Sequence, residues 1–459
     1  MADGFPAPVA AAAVTAARRG PRADLGGRAD HRDMPFVSID PAGARDLDQA
    51  LHLSRAGDGF TVRYAIADVA AFVHPGDAVD REACARGETL YGADGNLPLH
   101  PPALSEGAAS LLEGQDRPAI LWTLTIDCDG ELHDVALERT LVRNRVQLSY
   151  EQAQERIVAG EAAGEGQEGG LGLLPDIGEC LLAAEARRGG VSLPQSEQVV
   201  RVRDGRWSLA FRRLLAVERW NAQLSLLCGM AAARLMVAGG IGVLRTLPAP
   251  APEAIARLRR TARALGVVWP AETTYPQMVH TLDPSRPAHA AMVAAASHLL
   301  RGSGYTAFLD GAPAQAEHAG LATHYAHVTA PLRRLVDRHG LEVCLALVGR
   351  RPVPEWVRAR LEELPQLMRA SGRRAGAYES AVINLVEAAV LEPHVGERFR
   401  GVVVDRDARR PHRGEAVIAE PAVSARVDGD DDLPLGSEQE LLLSEADPAT
   451  RRVRFRWEG

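Results

Sequence analysis

Apolar and polar positions along this chain repeat with two different periods, and the change-over points mark out its parts. From about residue 35 to 150 the pattern is mostly that of strands. Phe36–Ile39, Phe60–Ile66 and Ile120–Ile126 are short apolar runs rich in β-branched and aromatic residues, which suit a pleated, partly buried surface. From about 210 to 392 apolar residues recur at helical spacing, predicting helices near 215–238, 253–265, 287–301, 331–349 and 370–391, interrupted by the proline-rich stretch 248–252. Beyond Glu397 strand-like runs return at 399–404, 439–443 and 452–457, separated by Gly, Pro and Asp. A tail of about 60 residues with this pattern predicts a small five-stranded barrel of the OB type. Residues 1–34, rich in Ala, Gly and Arg, predict a flexible arm, and the Gly/Glu-rich stretch 159–172 an exposed loop. The expected architecture is therefore α+β: an arm (1–34), a mixed sheet packed with helices (35–395) and a small all-β barrel (396–459).

Composition narrows the field by exclusion. At 459 residues the chain is too long for one compact core. Its 46% hydrophobic and 24% charged residues are those of a soluble globular protein. No apolar run reaches the about 18 residues of a membrane span, and no basic region precedes the apolar Ala10–Ala17 as in a secretory leader. The five cysteines (Cys84, Cys128, Cys180, Cys228, Cys344) include no C-x-x-C pair. That spacing argues against a zinc ribbon or a disulfide framework and leads to an expected cytoplasmic location. All 52 basic residues are arginine, so neither a P-loop nor a Schiff-base enzyme is available. With a net charge of −8, binding to nucleic acid requires a local basic groove.

Two constellations carry chemistry. Asp40, at the end of a strand-like run, is followed by a Pro41-Ala42-Gly43 turn and then by Asp46 and Asp48. Asp46 and Asp48, two apart, share one face of an extended chain. Carboxylates this crowded repel one another unless a cation sits among them, and oxygen-only ligands suit Mg²⁺ or Mn²⁺ rather than zinc. The alternative is an acidic surface turn. The second constellation is His324-Tyr325-Ala326-His327-Val328-Thr329-Ala330-Pro331-Leu332-Arg333-Arg334. Thr329 reads as a helix N-cap with Pro331 in the first turn. Arg333 and Arg334 at a helix N-terminus would then form an anion site, their planar forks matched to phosphate. The alternative is a capped helix with two solvated arginines. His324 and His327 lack a third ligand nearby and read as packing or hydrogen-bonding residues. A metal cluster with a guanidinium clamp is what phosphodiester hydrolysis requires.

The order I-D-P-x-x-A-x-D-x-D, then Ala65-Ile66-Ala67-Asp68-Val69, then H-x-T-x-P-x-R-R resembles the RNB family of exoribonucleases over roughly residues 35 to 392. The resemblance implies Mg²⁺-dependent (alternatively Mn²⁺-dependent) 3′-to-5′ hydrolysis of single-stranded RNA to nucleoside 5′-monophosphates. It implies Asp40, Asp46 and Asp48 as metal ligands, with Asp48 the most critical for cleavage, Arg333 on the scissile phosphate, and Tyr91 as an active-site tyrosine. Tyr150 would clamp a base, and Glu218 and Glu379 would contact the terminal nucleotides, with Thr329 and Arg334 also on the RNA. For the two tyrosines the alternative is a half-buried aromatic with a satisfied hydroxyl. The tail resembles an S1 RNA-binding domain. Its last strand places Arg452, Arg454 and Arg456 on one face and Val453, Phe455 and Trp457 on the other, a spacing that could follow a phosphate backbone; alternatively these arginines pair with nearby acids. From residue 397 there are 11 Arg against 14 Asp plus Glu, a net of −3, so a modest RNA affinity is expected there.

One departure concerns the metal. Where the family carries a further aspartate this chain has Gln49, which offers a carbonyl oxygen but no charge, so one of the family's two metals is expected to be held less firmly. The reading that follows is an active exoribonuclease whose partner is single-stranded RNA; the alternative is a catalytically weak or inactive RNB-type RNA-binding protein. No membrane association is expected, and protein partners stay open.

Overall fold

The computed structural model describes residues 4–93, 95–160, 170–194, 197–203 and 206–459. The strand-like first third closes into a five-stranded barrel: β1 (Ala29–Ile39), β2 (Gln49–Ala56), β3 (Gly59–Ala67), β4 (Asp116–Ile126) and β5 (Leu132–Leu148). Neighbours are antiparallel except β1 and β5, which pair in parallel with Ile39 opposite Leu148. That one parallel pairing brings the ends of β1 and β5 to the same rim. The barrel is packed by alternate residues such as Leu51, Leu53, Tyr64, Ile66 and Trp122, each no more than 2% exposed. The mixed sheet is thus present, in closed form.

The helix Ala216–Gly239 lies against the barrel and against the helix Leu335–Val348. It is 24 residues long with a mean hydropathy of 1.4 over its apolar window, enough to cross a bilayer by composition alone. Here it is a core helix, burying Leu224, Leu227, Ala231 and Met236. At Gly229 a Cβ would stand 2.1 Å from the Tyr325 ring, and the Gly229 carbonyl accepts from the Ala326 amide at 3.1 Å. The absent side chain lets the segment around His327 lie directly on the helix. Smaller helices, Pro252–Ala264, Tyr275–His280 and Pro287–Ser297, share a separate apolar cluster.

The tail is a second closed five-stranded barrel: β6 (Arg398–Arg406), β7 (Arg413–Ile418), β8 (Val423–Gly429), β9 (Glu438–Asp447) and β10 (Arg452–Trp457), in the order β6-β7-β8-β10-β9. Phe455 is fully buried while Arg452 and Arg456 are exposed, as the alternation requires. The helix Leu364–Leu391 joins the two parts and contributes Val386 and Leu391 to the tail barrel's core.

Two expectations are corrected. The first 34 residues are not a free arm: Ala7–Arg19 is helical and buries Val9, Ala13 and Ala16 against the barrel. Arg86 fixes the chain before it, stacking 3.8 Å over the Phe5 ring and donating to the Gly4 carbonyl at 2.9 Å, and β1 begins at Ala29. The second correction concerns residues 331–334, which are not helical. The helix begins at Leu335 with Arg334 at its N-cap in extended conformation, so Thr329 caps nothing. Within the expected 159–172 loop, residues 161–169 lie outside the described residues, and Leu174–Arg188 beyond it is helical.

Candidate active site

Asp40 follows β1 directly, its amide donating to the Leu148 carbonyl at 3.1 Å. Ser149 then caps the helix Tyr150–Val158, with Tyr150 as its first residue. The parallel β1–β5 pairing is therefore what sets Tyr150 beside Asp40. After the turn, Leu47 is fully buried and pinned by Ser110, whose hydroxyl oxygen accepts from the Leu47 amide at 2.9 Å. Leu47 goes into the core, while Asp48 on its far side meets the Leu332 amide and Arg333.

The 327–334 segment closes over these acids. The Leu332 amide donates to Asp48 Oδ1 at 2.7 Å, and Arg333 Nε lies 3.5 Å from Asp48 Oδ2. Asp48 is 4% exposed. Burial pushes its carboxyl well above the usual range against the pull of Arg333. Asp40 is pushed up to about 7 by burial and by Asp46. Asp46 is raised by burial, with its own backbone amide and Arg333 acting the other way. Three carboxylates facing one arginine leave an excess of negative charge that a cation would neutralise, and the Asp40 and Asp46 carboxylates accept no hydrogen bond from another described residue. Among the described residues no three His, Cys, Asp or Glu side chains converge as a ready-made cage. The set instead suits Mg²⁺, which binds one or two carboxylates and keeps its remaining positions for water and substrate phosphate.

Beside the acids lies a cleft of about 330 Å³, lined among others by Glu88, Tyr91, Arg245, Tyr305, Arg333 and Glu379. Tyr91 is 42% exposed and lines the cleft. Burial there, opposed by Arg333 and reinforced by the three acids, pushes the phenol up to about 12, so it stays a donor at neutral pH. Tyr150 is likewise raised to about 12 by burial, with Asp40 and Glu218 adding to it. The Tyr305 hydroxyl meets His327 Nδ1 at 2.7 Å, and Arg245 stacks 4.7 Å over the Tyr305 ring. Burial, with Arg334 and Arg245 beside it, holds His327 well below the usual imidazole range; it is a neutral partner of Tyr305.

Several expected RNA contacts are occupied within the protein. Arg334 gives Nε and Nη2 to Asp337, both at 2.9 Å, and Asp337 Oδ1 also accepts from the Ala330 amide at 2.7 Å. Its fork thus braces the segment that presents Arg333. Glu218 is held by Arg212 at 2.6 and 2.9 Å and accepts from the Leu215 amide at 2.7 Å. Thr329 is buried, and its carbonyl accepts from Gln49. In β10, Arg456 pairs with Asp430 at 2.9 Å and Arg454 with Glu445 at 3.2 Å. Arg452 forms no salt bridge among the described residues and lines a cleft of about 410 Å³ with Arg426, Arg451, Arg454, Asn384 and Glu387. Glu379, exposed on its helix, does line the cleft beside the acids.

Sequence reasoning passed over Glu88, Arg245, Tyr305 and Asp337. Glu88 Oε1 is buried without a hydrogen-bond partner among the described residues, and burial raises its carboxyl. Only Asp337 carried a signal, three residues after an arginine on a helix. The others come together through long-range pairings, such as the bridge between Glu88 and Arg334.

Comparison with known proteins places the two parts of the chain in known domain families. A model of the RNB domain matches residues 28–339, and one of the RNase II-type exonuclease C-terminal S1 domain matches residues 397–458. Ribonuclease R of Thermotoga maritima is 27% identical over 420 residues, covering 87% of this chain but 58% of that protein. The fold is shared with Mycoplasma genitalium RNase R in complex with ribose-methylated single-stranded RNA, at TM-score 0.83 and 19% identity over 94% of this chain and 71% of that one. It is shared too with yeast Ssd1, described as a pseudonuclease, at TM-score 0.70 and 16% identity over 95% of this chain and 54% of that one.

Proposed function

Because the chain belongs to the RNB family and carries an RNase II-type S1 domain, we propose that it is a divalent-metal-dependent exoribonuclease. In this reading it hydrolyses single-stranded RNA from the 3′ end and releases nucleoside 5′-monophosphates. The observation that carries it is the meeting of Asp48 and Arg333, 3.5 Å apart at the mouth of a cleft, with Asp40 and Asp46 alongside. A cation bound by the three aspartates would polarise the scissile phosphate and activate water.

The chain's own groups have separable tasks. Arg333, its side chain 42% exposed, is free to neutralise charge growing on the phosphoryl oxygens. The Asp337–Arg334 pair and the Leu332 amide hold it at the acids. Tyr91 donates a hydrogen bond towards the terminal phosphate. The Tyr150 ring offers a stacking face, worth ~1–3 kcal/mol without regard to sequence. Glu379 and the unpartnered Glu88 oxygen are acceptors for ribose hydroxyls, the feature that separates RNA from DNA.

A second reading, an RNA-binding protein without turnover, is favoured by Gln49 and by the likeness to a pseudonuclease. Incubating unlabelled RNA with the purified chain and Mg²⁺, then separating the products by chromatography, decides between them. Nucleoside 5′-monophosphates that vanish with Asp48→Asn support the enzyme. RNA recovered intact after binding supports the second reading.

A further inference from the structure

Gln49 stands beside the acidic cluster, and both ends of its carboxamide are engaged. Nε2 donates to the Thr329 carbonyl at 2.6 Å, and Oε1 accepts from the Tyr64 hydroxyl at 2.8 Å. Tyr64, on β3, is 1% exposed, and its oxygen also lies 2.8 Å from Ser225 Oγ on the helix Ala216–Gly239. One side chain therefore ties β2 to β3 and, through Tyr64, to that helix, and ties all three to the segment that presents Leu332 and Arg333. A carboxylate could not do this. Facing a carbonyl oxygen it has no proton to give, and two acceptors at that distance repel.

We propose that Gln49 is a positioning residue rather than a metal ligand, and that the cluster of Asp40, Asp46 and Asp48 consequently holds a single divalent cation. Gln49 Oε1 keeps a second lone pair, but Nε2 on Thr329 and the Tyr64 hydroxyl on Oε1 fix the carboxamide at both ends, and it brings no negative charge to hold a further cation. Asp48 has one oxygen on the Leu332 amide and the other facing Arg333. The charge and oxygen donors left over suffice for one open coordination sphere. A two-metal centre spaces its ions about 3.5–4 Å apart and needs carboxylates between and around them; the groups available here do not supply a second set. In this respect the fit to the family's metal pair is partial, and the chain's own substitution is the cause.

The inference rests on the three aspartates being the metal site of the proposed enzyme, and its test needs no catalysis. The full chain, stripped of metal, is titrated with Mn²⁺ without RNA, following free Mn²⁺ by electron paramagnetic resonance. Saturation at one Mn²⁺ per chain, absent in Asp40→Asn/Asp48→Asn, is expected. Two Mn²⁺ of comparable affinity in the wild type, or a spin-coupled pair, overturns the proposal whatever the variants do.

Gln49→Ala separates positioning from ligation. Its Mn²⁺ affinity should stay within about threefold of wild type while RNA cleavage slows by at least about tenfold, because Gln49 bonds Thr329 and Tyr64 and none of the three aspartates; a group on the metal, or hydrogen-bonded to one of its ligands, would cost it about 10–100-fold. A loss of Mn²⁺ affinity in that larger range makes Gln49 a ligand and refutes the assignment. Gln49→Asp should gain a second, weaker Mn²⁺; one site only would show that something other than Gln49 limits the stoichiometry. An inactive chain that still binds one Mn²⁺ refutes the exoribonuclease reading and leaves this one standing.

Discussion

At the scale of single residues, the proposed chemistry concentrates on Asp48 and Arg333. Asp48→Asn removes the charge from the proposed metal site while leaving an oxygen to accept from the Leu332 amide, so RNA binding measured by filter retention should stay nearly unchanged while cleavage is lost. Residual turnover near the wild-type rate would remove Asp48 from the reaction. Arg333→Ala should slow cleavage by about 10²–10³-fold, the typical cost of deleting one stabiliser of transition-state charge; an unchanged single-turnover rate would place the clamp elsewhere. The acidic trio was legible because a two-residue period is a local property. The fates of Arg334 and Glu218 were not, since Asp337 and Arg212 claim them and a side chain's partner is set by the fold. Gln49 was legible as a missing charge, whereas its two hydrogen bonds reach residues 15 and 280 positions away.

At the scale of elements, the non-helical 329–334 segment is held by Asp337, which is fully buried. Asp337→Ala leaves Arg334 buried without its partner, a loss of about 3–5 kcal/mol. Urea unfolding should show it, together with a lower cleavage rate; stability within about 1 kcal/mol of wild type, well short of that loss, would mean the pair braces nothing. The helix behind this segment is anchored by Arg338, which bonds Asp80 at 2.7 Å and the Val73 carbonyl at 3.0 Å. Burial works to raise the Asp80 carboxyl, yet Arg338 and the Gly76 amide together hold it below the usual range. A depressed carboxylate contributes stability at pH values above its unfolded pKa, about 3.9, and that contribution fades as pH falls through the lower folded value. Asp80→Asn should therefore lower stability at pH 7 and flatten the acid limb of the stability curve; an unaltered limb would deny the ion pair its role. Helical periodicity foretold the long helices, but the Thr-x-Pro pattern mimicked a helix start. What ends the mimicry is the Asp337 carboxylate, which takes the Ala330 amide and holds Thr329–Arg334 out of the helix.

Across the whole molecule, the two barrels and the helices between them leave an arginine-rich cleft at the junction of the tail barrel and the helix Leu364–Leu391, where Arg426, Arg451 and Arg452 form no salt bridge among the described residues. Replacing Arg426 and Arg452 with Ala should weaken RNA binding alike for all sequences and flatten its salt dependence, each lost phosphate contact removing about 0.7 from the slope for single strands. An unaltered slope would mean RNA passes elsewhere. The tail barrel was legible from alternation and turn residues. The docking of Ala7–Arg19 was masked by composition: alanine-rich sequence looks unpacked, although Val9, Ala13 and Ala16 already fall on one helical face. Barrel closure was hidden for a different reason, because β1 pairs with β5 across about a hundred residues that no local period reports. The most direct test of the central claim follows 5′-labelled single-stranded RNA incubated with the chain and Mg²⁺ or Mn²⁺, beside a DNA strand of the same sequence. Metal-dependent shortening to a small 5′-labelled remnant, with the DNA spared, is the expected result; labelled RNA bound but left full-length in both metals would contradict it.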